Sequence, residues 1–253
     1  MKNFQGKKIT LVTSGDHGIG YEVCKHLSKF QKNHVILTSK NQKEGEKSRS
    51  LLEKVNGTEL SFLEMDENDP VSVENTFNKV RSRFGKLDVL INNPSFPFKN
   101  LTQFLDVQVK TFIETFALNV YCAFNTMNTF LPLMKENKYG RIVNVGPCIG
   151  DLQSVREPIH SCYVLTQFSI KSLTKTFSEA VNPSQIKINA IDISYNKNDD
   201  VKRTGQLKKQ PALLKSEISL LVAYLAEIGE NGPTGSFFED LKLIESSLKR
   251  KQL

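Results

Sequence analysis

Six short apolar runs recur along the chain, and the stretches between them are long enough for a helix. The runs are KITLVT (8–13), HVILT (34–38), ELSFLE (59–64), LDVLIN (87–92), GRIVNV (140–145) and KINAIDI (187–193). They are short and rich in Val, Ile and Leu, so each is predicted to be a buried strand. The intervening stretches predict crossover helices, which makes an α/β domain with a mostly parallel sheet and helices on both faces. Right-handed crossovers leave the doubly wound strand order 3-2-1-4-5-6 as the simplest arrangement. Residues 1–253 read as a single domain, since no linker, repeat or low-complexity segment divides them. The polar stretch YNKNDDVKRTGQLKKQP (195–211) is the one long loop. It follows the sixth strand, at the sheet edge where ligands bind in such folds, so it is expected to be either a lid or a disordered segment.

Composition changes this picture little. The chain is 39% hydrophobic and 24% charged, ordinary for a globular domain. A net charge of +7 would suit a polyanion, but the basic residues are spread through every segment among 27 acids, so a nucleic-acid partner is not expected. Cys24, Cys122, Cys148 and Cys162 show no metal-ligand spacing and no disulfide framework, which predicts reduced thiols, no metal and a cytoplasmic location. The N-terminal residues show no signal-peptide core, and the longest apolar run, SLLVAYLA, is too short to span a bilayer, so no membrane association is expected.

Candidate chemistry begins in LVTSGDHGIGYEV, between the first strand and the first helix. Ser14, Gly15, Gly18, Ile19 and Gly20 form a glycine-rich turn there, of the kind that lets backbone approach a pyrophosphate at a helix N-terminus. The second strand ends in Thr38, Ser39 and Lys40 with no acid to take a ribose 2′-hydroxyl. That ending favours NADP(H), with Lys40 at the 2′-phosphate; Asp16, inside the turn, works against phosphates.

With TSGDHGIG at 13–20, an acid after the third strand at Asp66 in LEMDEND, Asn-Asn-Pro-Ser from Asn92, Asn119 in FALNVYCAF, GRIVNV, and Tyr163 in SCYVLTQF, the chain resembles the short-chain dehydrogenase/reductase family over nearly its whole length. HVILTSKNQKEGE, FGKLDVLINN and NGPTGSFFEDLKLIE are most similar to its carbonyl reductases. The resemblance implies a Rossmann fold, a small-molecule carbonyl substrate, and Asn92 and Asp66 beside the adenosine. It also implies Tyr163 as proton donor, Asn119 as the holder of a relay water, and a homo-oligomer built on the helices carrying Asn119 and Tyr163. Ile170, Leu173, Phe177 and Val181 recur at helical spacing and are the expected apolar seam of that oligomer.

The departures fall on motif positions. The family lysine four residues after the tyrosine is Gln167, the substrate-binding serine is Pro147, the first glycine of the turn is Ser14, and the step after the sixth strand is Ile193-Ser194. A glutamine has no charge to lower the tyrosine pKa from about 10, though it can still bond a ribose hydroxyl. Proline has neither hydroxyl nor N–H. Among residues that could substitute, Cys148 is a poor donor, Ser154 and Ser161 lie before Tyr163, and Lys171 is a further turn along the helix. Three readings follow. The first is a pseudoenzyme that keeps NADP(H), the second a working reductase with a remodelled donor, and the third an interaction protein with an empty dinucleotide site. Cofactor titration separates the third from the others, and turnover of reactive carbonyls separates the first two.

Overall fold

The computed structural model describes residues 4–94, 104–148, 161–194 and 215–238. The six apolar runs become β1 (Lys8–Val12), β2 (Asn33–Ser39), β3 (Ser61–Glu64), β4 (Val89–Asn92), β5 (Gly140–Cys148) and β6 (Ile186–Ser194). All pair in parallel in the order β3-β2-β1-β4-β5-β6, and β7 (Phe237–Phe238) adds a seventh strand beside Ala190 and Ile191 of β6. The expected doubly wound sheet is therefore present, with one strand more than the apolar runs predict.

Successive strand residues point to opposite faces. Val12, Val35, Leu37, Ile91, Val143 and Val145 pack on one side with α1 (Gly18–Leu27), α2 (Gln42–Asn56) and α7 (Lys215–Glu227). Ile9, Leu11, Ile36, Leu90, Ile142 and Ile188 pack on the other with α3 (Pro70–Phe84), α5 (Cys122–Glu136) and α6 (Ser161–Glu179). The helices start where the sequence supplies caps. Asn41 Oδ1 accepts the Glu44 N–H at the start of α2, and Asp69 Oδ1 accepts the Val71 N–H at the start of α3, just ahead of Pro70. Among the described residues no helix is long and apolar enough to cross a membrane.

Two of the four expected seam residues are taken up inside the fold. Ile170 and Val181 are buried, and Leu173 and Phe177 are half-buried against the same core. Several exposed apolar side chains lie near the start of α6 and on the helices before it. Leu105 belongs to a 3₁₀ turn (Phe104–Asp106), Val109 and Ile113 to α4 (Val109–Phe116), Phe124 to α5 and Leu165 to the first turns of α6. Val109 and Ile113 are 75% and 60% exposed, four residues apart on one helix face. The 195–211 loop and Ser154 lie outside the described residues.

Candidate active site

β1 lies between β2 and β4, so its C-terminal end is the point where the strand order reverses. Open α/β sheets form their ligand crevice at such a point. The chain from Thr13 to His17 turns there into α1, and the turn is pinned on both sides. Gly15 N–H donates to Thr38 O (2.8 Å) and Thr13 N–H to Ile91 O (3.0 Å). Asn93 completes the clamp: its N–H donates to Thr13 Oγ1 (2.9 Å) and its Nδ2 to Ser14 O (3.3 Å). Gly20 sits against this clamp. A Cβ there would collide with Ser14 O and lie 2.8 Å from Asn93 Nδ2, so only glycine fits. Ser14, standing where the family has glycine, holds φ +46°, a left-handed conformation that costs a residue with a Cβ about 1–2 kcal/mol.

What holds Ser14 there is a residue the sequence analysis missed. Glu67, one past Asp66, accepts the Ser14 N–H at 3.0 Å and the Ser14 hydroxyl at 3.3 Å, both on Oε1. Its own backbone is tied down by Asn125 Nδ2, which donates to Glu67 O (3.0 Å). Desolvation raises the Glu67 carboxyl above the ordinary glutamate value, and the bonds from Ser14 offset only part of that. The only hint in the sequence is an acid in MDEND, which looks like surface charge. A second carboxylate, Asp16, lies inside the turn 3.0 Å from His17 Nδ1. Burial alone would raise Asp16, but hydrogen bonds from His17 and Ser39 hold it below its usual value. That same contact raises the His17 imidazole.

The ends of β2, β3 and β4 line the crevice beside this turn. At the end of β2, Thr38 and Ser39 are buried. Thr38 Oγ1 donates to Val12 O (3.4 Å), while Ser39 Oγ accepts the Asn41 N–H (3.1 Å) and bonds the Asp16 carboxylate, so both hydroxyls are engaged within the protein. Lys40 is exposed and lines a groove of about 450 Å³ with Glu64, Asp66, Asp69, Ser72, Asn75 and Lys79. Asp66 Oδ1 caps a local turn by accepting the Asn68 N–H (3.0 Å). Asn92, expected beside the adenosine, has both amide atoms engaged internally. Its Nδ2 donates to Asn144 Oδ1 (2.8 Å), and its Oδ1 accepts from Thr126 Oγ1 (2.7 Å). Asn144 Nδ2 in turn donates to Thr174 Oγ1 (2.9 Å), so Asn92 bolts β4 to β5, α5 and α6 while Asn93 serves the turn.

The other end of the crevice is built from a distorted helix, a strand end and α6. α4 passes through one π-helical turn (Ala117–Tyr121) into α5, a distortion frequent at functional sites. Asn119 lies in that turn, buried. Its Nδ2 donates to Thr115 O (3.0 Å), while its Oδ1 has no partner among the described residues. Leaving such an acceptor dry would cost about 1–3 kcal/mol, which suits a position that receives a water or ligand group. Tyr163 lies in the first turn of α6, with its side chain outside the described residues.

Gln167, one turn on from Tyr163, is 5% exposed. Its Nε2 donates to Thr166 Oγ1 (3.4 Å), and its Oε1 sits so close over Gly146 that a Cβ on that glycine would lie 2.5 Å away. The amide thus fills the floor between α6 and β5. The strand itself runs on through Pro147, opposite Ile193. Lys171, the only candidate replacement cation weighed from the sequence, places its Nζ 5.8 Å from the Phe237 ring centroid on β7. The thiols of Cys24 and Cys122 are pushed up by burial, to about 12 for Cys122, so neither is a nucleophile at neutral pH. The residues present fit a dinucleotide at the Gly20 cradle and at Lys40, and conflict with one at Glu67.

Comparison with known proteins agrees with this geometry. The family described as short chain dehydrogenase matches residues 8–206. Carbonyl reductase (NADPH) 3 of Mus musculus is 29% identical over 179 residues, which cover 68% of this chain and 62% of that protein, so the match spans about three fifths of the relative. The 3-oxoacyl-(acyl-carrier-protein) reductase FabG of Escherichia coli (strain K12) is 26% identical over 234 residues, covering 88% of this chain and 91% of that protein. D-beta-hydroxybutyrate dehydrogenase of Rhizobium meliloti (strain 1021) is 27% identical over 191 residues, covering 74% and 71%.

Proposed function

The chain belongs to the short-chain dehydrogenase family, and from that premise we propose that it is a carbonyl reductase-like protein that binds NADP(H) and has little or no oxidoreductase activity. The observation that carries this is Gln167, buried over Gly146 where the family lysine would stand. A neutral amide has no charge with which to tune the Tyr163 phenol as a proton donor or to pass a proton back to it. Pro147 offers a substrate carbonyl no donor. General acid catalysis is worth roughly 10² to 10⁴ in rate and one oxyanion donor roughly 10² to 10³, with losses that do not simply add.

The preference for NADP(H) rests on Lys40, exposed at the end of β2 with no acid at the strand end itself. The relative named as an NADPH carbonyl reductase supports the same choice. Equilibrium titration with NADPH and NADH tests it: the native protein should bind NADPH more tightly, and Lys40→Asp should reverse the order. Tighter binding of NADH by the native protein would refute it.

One observation favours a second reading, an active NADPH-dependent carbonyl reductase working through Tyr163. The π-helical turn at Asn119 and its unpartnered Oδ1 keep a place for a relay water. We further propose a cytoplasmic protein, on the strength of the free thiols at Cys24, Cys122 and Cys162. A homo-oligomer joined through α4, the start of α5 and the first turns of α6 completes the proposal. Val109, Ile113, Phe124 and Leu165 would supply its apolar contacts, and a monomer by light scattering at micromolar concentration would refute it.

A further inference from the structure

We infer that Glu67 is an internal occupant of the glycine-rich turn and sets how tightly the crevice holds a dinucleotide. The inference rests on the reading of this crevice as a dinucleotide site. In that reading the turn's backbone N–H groups are the donors offered to an anion, and here the first of them is already taken. Ser14 N–H and Ser14 Oγ both end on Glu67 Oε1, at 3.0 and 3.3 Å. A glycine at position 14 would offer one donor; the serine offers two, so the substitution that departs from the family motif is also the one that strengthens the hold on Glu67. The carboxylate is delivered from the far side of the crevice, because the chain leaves β3 at Glu64 and is anchored at Glu67 O by Asn125 of α5.

The surrounding charges do not neutralise it. No basic side chain among the described residues forms an ion pair with Glu67. Asp66 precedes it, and both Asp66 and Glu67 act on the Cys122 thiol, with Lys40 opposing them. Asp16 spends its charge on His17, which also feels Glu67. A dinucleotide laid along the turn brings its own negative charge toward a partly desolvated carboxylate. Two like charges a few ångströms apart in such surroundings weaken binding by about tenfold or more. A dinucleotide therefore binds against Glu67, and removal of that charge strengthens it.

Glu67→Gln separates charge from shape, since the amide oxygen can still accept the Ser14 N–H. Calorimetric titration with NADPH, at fixed pH and salt and on protein whose circular dichroism melt shows it folded, should give a Kd about tenfold or more below that of the native chain. Ser14→Gly removes the hydroxyl bond and the need for a strained serine. It should tighten binding several-fold, and it carries the test if the glutamine variant does not fold. Equal Kd values for native protein and variants would overturn the role of Glu67 while leaving the dinucleotide reading intact. Weaker binding by Glu67→Gln would make Glu67 a ligand contact and also overturn the inference. Binding by the variants alone would support the inference and refute NADP(H) binding by the native chain. No binding by any of the three would overturn both.

Discussion

Replacing Gly20 by alanine should be the most damaging single methyl that can be added to the turn. The new Cβ would meet Ser14 O, a backbone atom, and Asn93 Nδ2 at 2.8 Å, inside the 3.0 Å that real Cβ atoms keep. Neither partner can retreat freely. Ser14 is held by Glu67 and its neighbour Gly15 by Thr38 O, while Asn93 is held by Thr13. Overpacking of this kind costs about 1–3 kcal/mol, and wedging apart the hydrogen bond from Asn93 Nδ2 to Ser14 O adds about 1 kcal/mol. In a domain of this size the sum lowers the melting temperature by roughly 5–15 °C. Gly18→Ala is the control. Gly18 has φ +59° but open space around the added methyl, so only backbone strain of about 1–2 kcal/mol applies. Circular dichroism melts of the three proteins should therefore rank native, Gly18→Ala, then Gly20→Ala, and NADPH titration should show binding lost in the last. A Gly20→Ala protein that melts within about two degrees of the native chain would refute the close-approach argument.

Two further outcomes follow from the same geometry. Combining Gln167→Lys with Pro147→Ser should restore part of the NADPH-dependent reduction of a reactive quinone, and each single change should do less, because donor and tuned acid act on one transition state; a single reversion matching the pair would contradict this. Glu67 has a raised pKa in the folded chain, so its favourable contribution to stability is present below its ordinary value of 4.5 and is lost as pH rises through the folded value. Glu67→Gln should accordingly gain stability relative to the native chain as pH rises from 4.5 in urea unfolding, and a difference flat with pH would contradict the assignment.

The sheet was legible because its strands are covered on both faces, and a strand so covered must be apolar at consecutive positions. β7 was not, since Phe237 and Phe238 make too short a run to stand out from a loop. The stripe of Ile170, Leu173, Phe177 and Val181 was visible as a stripe, but periodicity reports that a face is covered and not what covers it; here Ile170 and Val181 are buried in the core, and Leu173 and Phe177 are half-buried against it. Much the same holds within the crevice. The motif offers two adjacent asparagines, and only the packing of β4 against α5 and β5 sends Asn92 inward and leaves Asn93 to the turn. The lost lysine and serine could be read directly, whereas the contact of Gln167 with Gly146 joins positions far apart in sequence. Glu67 was hidden most completely. An acid beside other acids carries no mark of burial, and its hold on Ser14 exists only once β3 is laid two strands from β1.

In the function proposed for this chain, a dinucleotide crevice is kept while the end beside Tyr163 no longer supports turnover. Steady-state NADPH oxidation with a reactive quinone, at an NADPH concentration shown by titration to saturate the protein, tests it most directly. The expected rate is no greater than that of NADPH and quinone without protein. Efficient turnover by the native chain, abolished by Tyr163→Phe, would contradict it.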